Sequence, residues 1–174
     1  MKRRDFIQKS TVAISAPLIA PQFFQPHKTL PLQGNTSPIA VCTWNFTAAN
    51  AKAAAALEAG KTALQAAIEG VAVEENNPKN TTVGYGGAPD REGHVTLDAC
   101  VMNHQGNCGA VLAVEQVRNV AALAYDVMEH TPHVMLAGEG ALQFAKERGY
   151  TTEELLTPES KKRWKEWLKN AKYQ

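Results

Sequence analysis

The stretch Thr82-Val-Gly-Tyr-Gly-Gly-Ala-Pro-Asp-Arg-Glu-Gly-His-Val-Thr-Leu-Asp-Ala-Cys100 decides how the rest of the chain is read. Gly84, Gly86 and Gly87 stand almost side by side, Pro89-Asp90 turns the chain, and Gly93 opens a run in which His94, Thr96 and Asp98 alternate with Val95, Leu97 and Ala99. This pattern predicts a tight glycine loop delivering a β-strand over His94 to Met102. Clustered glycines permit positive φ and let a second backbone come close, which suits a loop packed beneath a site; a surface hairpin connection fits the same residues. A phosphate cradle does not fit, because the loop lacks the Lys-Ser/Thr of a P-loop and leads into a strand instead of a helix.

Upstream of the loop, Ile39-Ala40-Val41-Cys42 reads as a short buried strand over Pro38 to Thr43. Thr47 is positioned to cap an alanine-rich helix from Ala48 to Ala59, stopped by Gly60. Thr62-Ala-Leu-Gln65 matches a capping box, and Leu64, Ala67, Ile68 and Val71 mark the core face of a second helix, ended by Glu74-Glu75-Asn76-Asn77-Pro78. Downstream, Asn103 to Asn107 joins the first strand to a second, Cys108 to Val114. Asn119 then caps a helix with Val120, Leu123, Ala124, Val127 and Met128 inward. A strand over His133 to Ala137, a turn at Gly138-Glu139-Gly140 and a helix from Ala141 to Arg148 follow. Thr151-Thr-Glu-Glu154 offers another capping box. The last helix, Pro158 to about Lys172, carries Trp164, Trp167, Leu168 and Ala171 on one face, and its packing against the domain outweighs a membrane-surface reading because Glu159 and Glu166 dilute its charge.

The chain of 174 residues holds 18 Lys and Arg against 17 Asp and Glu. Residues 1–36 read as an export signal with a linker: Lys2-Arg3-Arg4 precedes an apolar run broken by Pro17 and Pro21, too short for a membrane span, and Arg3-Arg4-Asp5-Phe6-Ile7 resembles a twin-arginine signal. Export, to a periplasm, is the expectation. Residues 37–174, the remaining domain, are net acidic, which gives nucleic acid no electrostatic footprint. Cys42, Cys100 and Cys108 read as small buried hydrophobes; a Cys100–Cys108 bridge across the hairpin is the alternative. His130-Thr-Pro-His133 has no ligand partners at metal spacing, and no Ser-His-Asp or Cys-His arrangement stands out. From the residues alone, the reading is an exported α/β or α+β domain with no metal site or cofactor and no catalytic constellation.

Thr82-Val-Gly-Tyr-Gly-Gly-Ala-Pro-Asp90, with Val95-Thr-Leu-Asp-Ala99, Thr43-Trp-Asn-Phe46, His130-Thr-Pro-His-Val-Met-Leu136 and Trp164-Lys-Glu-Trp-Leu168, resembles the glycosylasparaginase family of N-terminal nucleophile hydrolases over about residues 38–174. The resemblance implies a four-layer αββα sandwich, made as a precursor that cuts its own backbone to free a threonine nucleophile. Such a threonine uses its own α-amine as the base, and attack on the side-chain amide of asparagine, free or glycosylated, releases aspartate without a cofactor. The family cuts at a His-Asp-Thr motif, whereas the histidines here are followed by Lys28, Val95, Gln105, Thr131 and Val134. The resemblance therefore implies only the first, or α, portion, with no catalytic residue in this chain and a β portion as its partner. It also allows a homodimer of such two-part units.

Two residues match positions lining the family's site. Trp44 corresponds to a tryptophan beside substrate and nucleophile, with a core aromatic at a strand end as the structural alternative. Thr82 stands where relatives carry a serine that orients the nucleophile; Gly84, Gly86 and Gly87 support the loop. An incomplete gene, a split gene and a degenerate non-catalytic module binding small amino-acid-like ligands are the three readings of the sequence as it stands.

Overall fold

The computed structural model describes residues 37–171. The proposed export signal, and Lys172 at the expected end of the last helix, lie outside the described residues. Five helices and three strands follow in the order α1 (Thr47–Glu58), α2 (Ala63–Glu75), β1 (Leu97–Met102), β2 (Cys108–Val114), α3 (Val120–His130), β3 (Met135–Ala137), α4 (Gly138–Glu147) and α5 (Pro158–Asn170). Helices with a small mixed sheet make the chain α+β. The strands lie in the order β1-β2-β3, β1 antiparallel and β3 parallel to β2.

Helices α1 and α2 form a hairpin held by small residues. Gly60, at φ 81°, ends α1 in a Schellman arrangement, its N–H donating to the Leu57 carbonyl while that of Lys61 reaches Ala56. Thr62 then starts α2 with the expected capping box. Ala49, Ala53 and Ala56 of α1 and Ala66 and Gly70 of α2 are buried. A Cβ on Gly70 would stand 2.8 Å from the Ala49 carbonyl oxygen, so the helices approach as closely as their backbones allow. This packing corrects the expected inward face of α2: Leu64 and Ile68 are only partly buried and Val71 is exposed. The alanine face of α1 selects the small residues of α2 because they permit the shorter interhelix distance.

One face of the sheet is covered by α3 and α4. Val111, Val114, Leu123, Ala124, Val127, Ala141 and Ala145 pack there, with Ala99, Val101 and Leu136 at the margin. Gly109 makes the close contact possible: a Cβ there would fall 2.1 Å from the Ala124 carbonyl oxygen. On the other face the register aligns Cys100, Ala110 and Met135 in one row, and Cys100, Met102, Leu112 and Met135 are exposed. Among the described residues the sheet is thus apolar on both sides but covered by helices on one.

Other expectations need correction. Residues 38–43 form no strand, and Ile39 and Val41 are 81% and 84% exposed, because no described strand offers them a ladder. Trp44 is 61% exposed, so it is not a core aromatic here; it stacks on Phe46 at 5.7 Å between ring centroids. The Phe46 N–H bonds the Trp44 carbonyl and Phe46 takes the cap position, leaving Thr47 inside the helix. Strand β1 starts at Leu97, not His94, and Gly138 begins α4 instead of a turn. Residues 151–156 are not helical: Glu153 pairs with Arg118, whose guanidinium also lies 4.4 Å from the Tyr85 ring centre, and this clamp replaces the capping box. Cys42 and Cys100 are exposed and all three thiols are free. Cys100 sits opposite Ala110 and Cys108 opposite Met102, so the two are diagonal instead of facing.

Candidate active-site cleft at the glycine loop

The residues before the loop determine its path. Gly84, at φ 59°, lies so close to the end of α2 that a Cβ would stand 2.1 Å from the Glu75 carbonyl oxygen, and the Tyr85 N–H donates to that oxygen at 2.8 Å. Gly86 donates its N–H to the Leu155 carbonyl at 2.9 Å and accepts from the Ser160 hydroxyl of α5. Trp164 packs over Gly93, while Trp167 on the same helix is half exposed. Gly84 thus lets the loop lie directly on α2 and the Gly86 carbonyl ties it to α5, while Gly87 faces Val95 and Leu97.

Thr82 enters from this loop. Its N–H and hydroxyl both donate to Asn80 Oδ1, at 3.0 and 2.7 Å, and Asn80 Nδ2 donates to Glu74 Oε2 at 3.1 Å. Asn80 and Glu74 are buried, whereas Thr82 faces an open cleft of about 370 Å³. Val71, Glu75, Val83, Asp98, Cys100 and Val120 also line that cleft. Trp44 is not among its lining residues.

Glu75 is 2% exposed and bridges α2 to the start of α3. Its carboxylate accepts from the Ala121 N–H at 2.9 Å and from Asn119 Nδ2 at 3.1 Å, so the Asn119 side chain serves Glu75 instead of capping its own helix. Burial raises the Glu75 pKa above its ordinary 4.5, against the opposing pull of these hydrogen bonds. A folded pKa above the unfolded one means that the folded state holds this proton more tightly. Ionisation therefore costs stability as pH rises from 4.5 through the folded value. Glu75→Gln is expected to remove this component of the pH slope, and urea titrations from pH 4 upward check it; equal slopes in variant and wild type would refute it.

The sequence pattern singles out Thr82 and the glycines but gives Glu74 and Glu75 only as part of the helix stop and does not single out Asn80. The available signal was steric: glycines that admit a close backbone imply that the neighbouring helix end is itself covered. Asp98, predicted on the polar side of β1, instead accepts from the Ala113 N–H at 2.7 Å, where the β1–β2 register shifts and Ala113 takes φ 49°. Among the described residues no group of three or more His, Cys, Asp or Glu could hold a metal ion.

The sequence model of the asparaginase family matches residues 28–174, and the chain belongs to that family. It is 47% identical over 173 residues, 98% of its own length, to an Elizabethkingia miricola protein, of which it spans 51%. To a Mus musculus protein it is 39% identical over 142 residues, 80% of this chain and 41% of the relative. A Rattus norvegicus protein is 38% identical over 135 residues, 77% of this chain and 39% of the relative. All three are named N(4)-(β-N-acetylglucosaminyl)-L-asparaginase. The chain spans about two-fifths to one-half of the length of these curated relatives.

Proposed function

We propose that this chain is the α portion of an exported amidohydrolase that cleaves the side-chain amide of asparagine bearing N-acetylglucosamine, releasing aspartate. The observation that carries this reading is 47% identity, along 98% of the chain, to a protein named for that activity. In this reading a β portion beyond residue 174 supplies the threonine nucleophile, freed by autoproteolysis, and completes a four-layer sandwich. Thr82 and Trp44 line the completed site, and residues 1–36 direct export to the periplasm. The uncovered sheet face at Cys100, Met102, Leu112 and Met135 supports a second layer. So does the bare segment around Ile39 and Val41.

The chemistry follows from the parts. The α-amine of an N-terminal threonine, with an ordinary pKa near 8, takes the proton of its own hydroxyl. The oxygen attacks the amide carbon, the glycosylamine leaves with a proton, and water opens the resulting ester to give aspartate.

The test co-produces this chain with the half of the Elizabethkingia miricola relative that it does not span, and assays aspartate release from aspartylglucosamine. Turnover by the pair and none by the chain alone is expected. Turnover by the chain alone would overturn the proposal, and ligand binding without turnover by the pair would favour a non-catalytic module.

A further inference from the structure

Thr82 is a hydroxyl whose single hydrogen is already committed. Asn80 Oδ1 receives both the Thr82 N–H at 3.0 Å and the Thr82 O–H at 2.7 Å. An asparagine side chain has one oxygen and one NH2, and the opposite end of this one meets Glu74 Oε2 at 3.1 Å, an oxygen also approached by Asn77 Nδ2 at 3.4 Å. A carboxylate offers only acceptor sites, so the NH2 belongs on the Glu74 side. A backbone N–H can only donate, so the oxygen belongs on the Thr82 side. Both ends fix the same orientation of the amide, within a buried pair.

We propose that Glu74 and Asn80 are positioning residues that make the Thr82 hydroxyl a dedicated acceptor, presenting lone pairs to the cleft for an amine or ammonium donor. This rests on the reading of the chain as half of an amidohydrolase, in which the donor is the α-amine of the nucleophile. An acceptor beside an amine favours its protonated form. Thr82 thereby sets the pH at which the amine becomes free to act as a base. The other charged groups lining the cleft are Glu75 and Asp98, each already accepting a backbone N–H. They contribute a constant background to any comparison of Asn80 variants.

The orientation is tested in the full chain by magic-angle-spinning NMR with asparagine labelled in nitrogen, a method that tolerates self-association. The Asn80 NH2 resonances should move in Glu74→Met and stay nearly fixed in Thr82→Val. The opposite pattern would mean that the amide is turned round and would overturn the proposal whatever the activity.

The function is tested in the pair that hydrolyses aspartylglucosamine. Asn80→Ala releases the hydroxyl hydrogen, and Thr82→Val removes the acceptor while sparing the backbone N–H. Both should move the acidic limb of kcat/KM down by roughly half a pH unit. Thr82→Ser keeps the acceptor and should leave the limb at the wild-type position. A merely structural role would lower activity in Asn80→Ala and Thr82→Val without displacing the limb, and that result would overturn the proposal. An inactive wild-type pair would count against the amidohydrolase reading instead, with the resonance pattern still deciding how Asn80 is turned.

Discussion

Gly84→Ala is expected to cost about 3–5 kcal/mol of stability, among the larger effects a single methyl group can have. Two penalties coincide at this residue. The backbone at φ 59° is in the left-handed region, which disfavours a side chain by about 1–2 kcal/mol. The added Cβ would also stand 2.1 Å from the Glu75 carbonyl oxygen and 2.4 Å from its Cα, so relief requires the loop to leave α2. Lifting it breaks the Tyr85 to Glu75 hydrogen bond and disturbs the Asn80 contacts that hold Thr82. Gly60→Ala supplies the comparison, since Gly60 has φ 81° and nothing within 4 Å of its would-be Cβ. That variant should show only the backbone penalty. Urea unfolding followed by tryptophan fluorescence measures both, and equal midpoints would show that the loop is not seated against the helix.

Self-association of the unaccompanied chain is the second large effect expected. Ile39 and Val41 are more than four-fifths exposed, and Met102 and Val134 are 64% and 62% exposed. Both outer strands, β1 and β3, also have one edge without a described neighbour. Large apolar patches of this kind bind one another in water when nothing else covers them. Light scattering after gel filtration should find species larger than one chain at micromolar concentration, and Val41→Lys with Met135→Lys should shift the distribution toward the monomer. A single monomeric peak for the wild-type chain at those concentrations would contradict the proposed requirement for a covering layer.

The parts of the fold legible in the sequence were those determined locally. The capping box at Thr62, the Gly60 stop, the hairpin at Asn103 to Asn107 and the inward stripe of α3 depend on residues a few positions apart, and each is present. The inward face of α2 was misread because apolar periodicity identifies the oilier side, whereas close packing against the alanines of α1 selected the smaller one. Ile39-Ala-Val-Cys42 has the composition of a strand but no described neighbour to pair with. At the candidate site, glycine spacing exposed the loop. Glu74 and Asn80 stayed hidden because their importance comes from burial and from each other, and neither leaves a periodic trace.

The bond from Thr82 to Asn80 also bears on the methyl group that separates threonine from serine. A serine hydroxyl in an open cleft turns among three rotamers, and a partner that needs one of them must overcome the lost freedom. In Thr82 the branched Cβ restricts χ1, and the 2.7 Å contact with Asn80 holds the hydroxyl in place before any partner arrives. The extra carbon therefore acts as a brake on rotation, and much of the entropic cost of docking against this oxygen has been met within the fold.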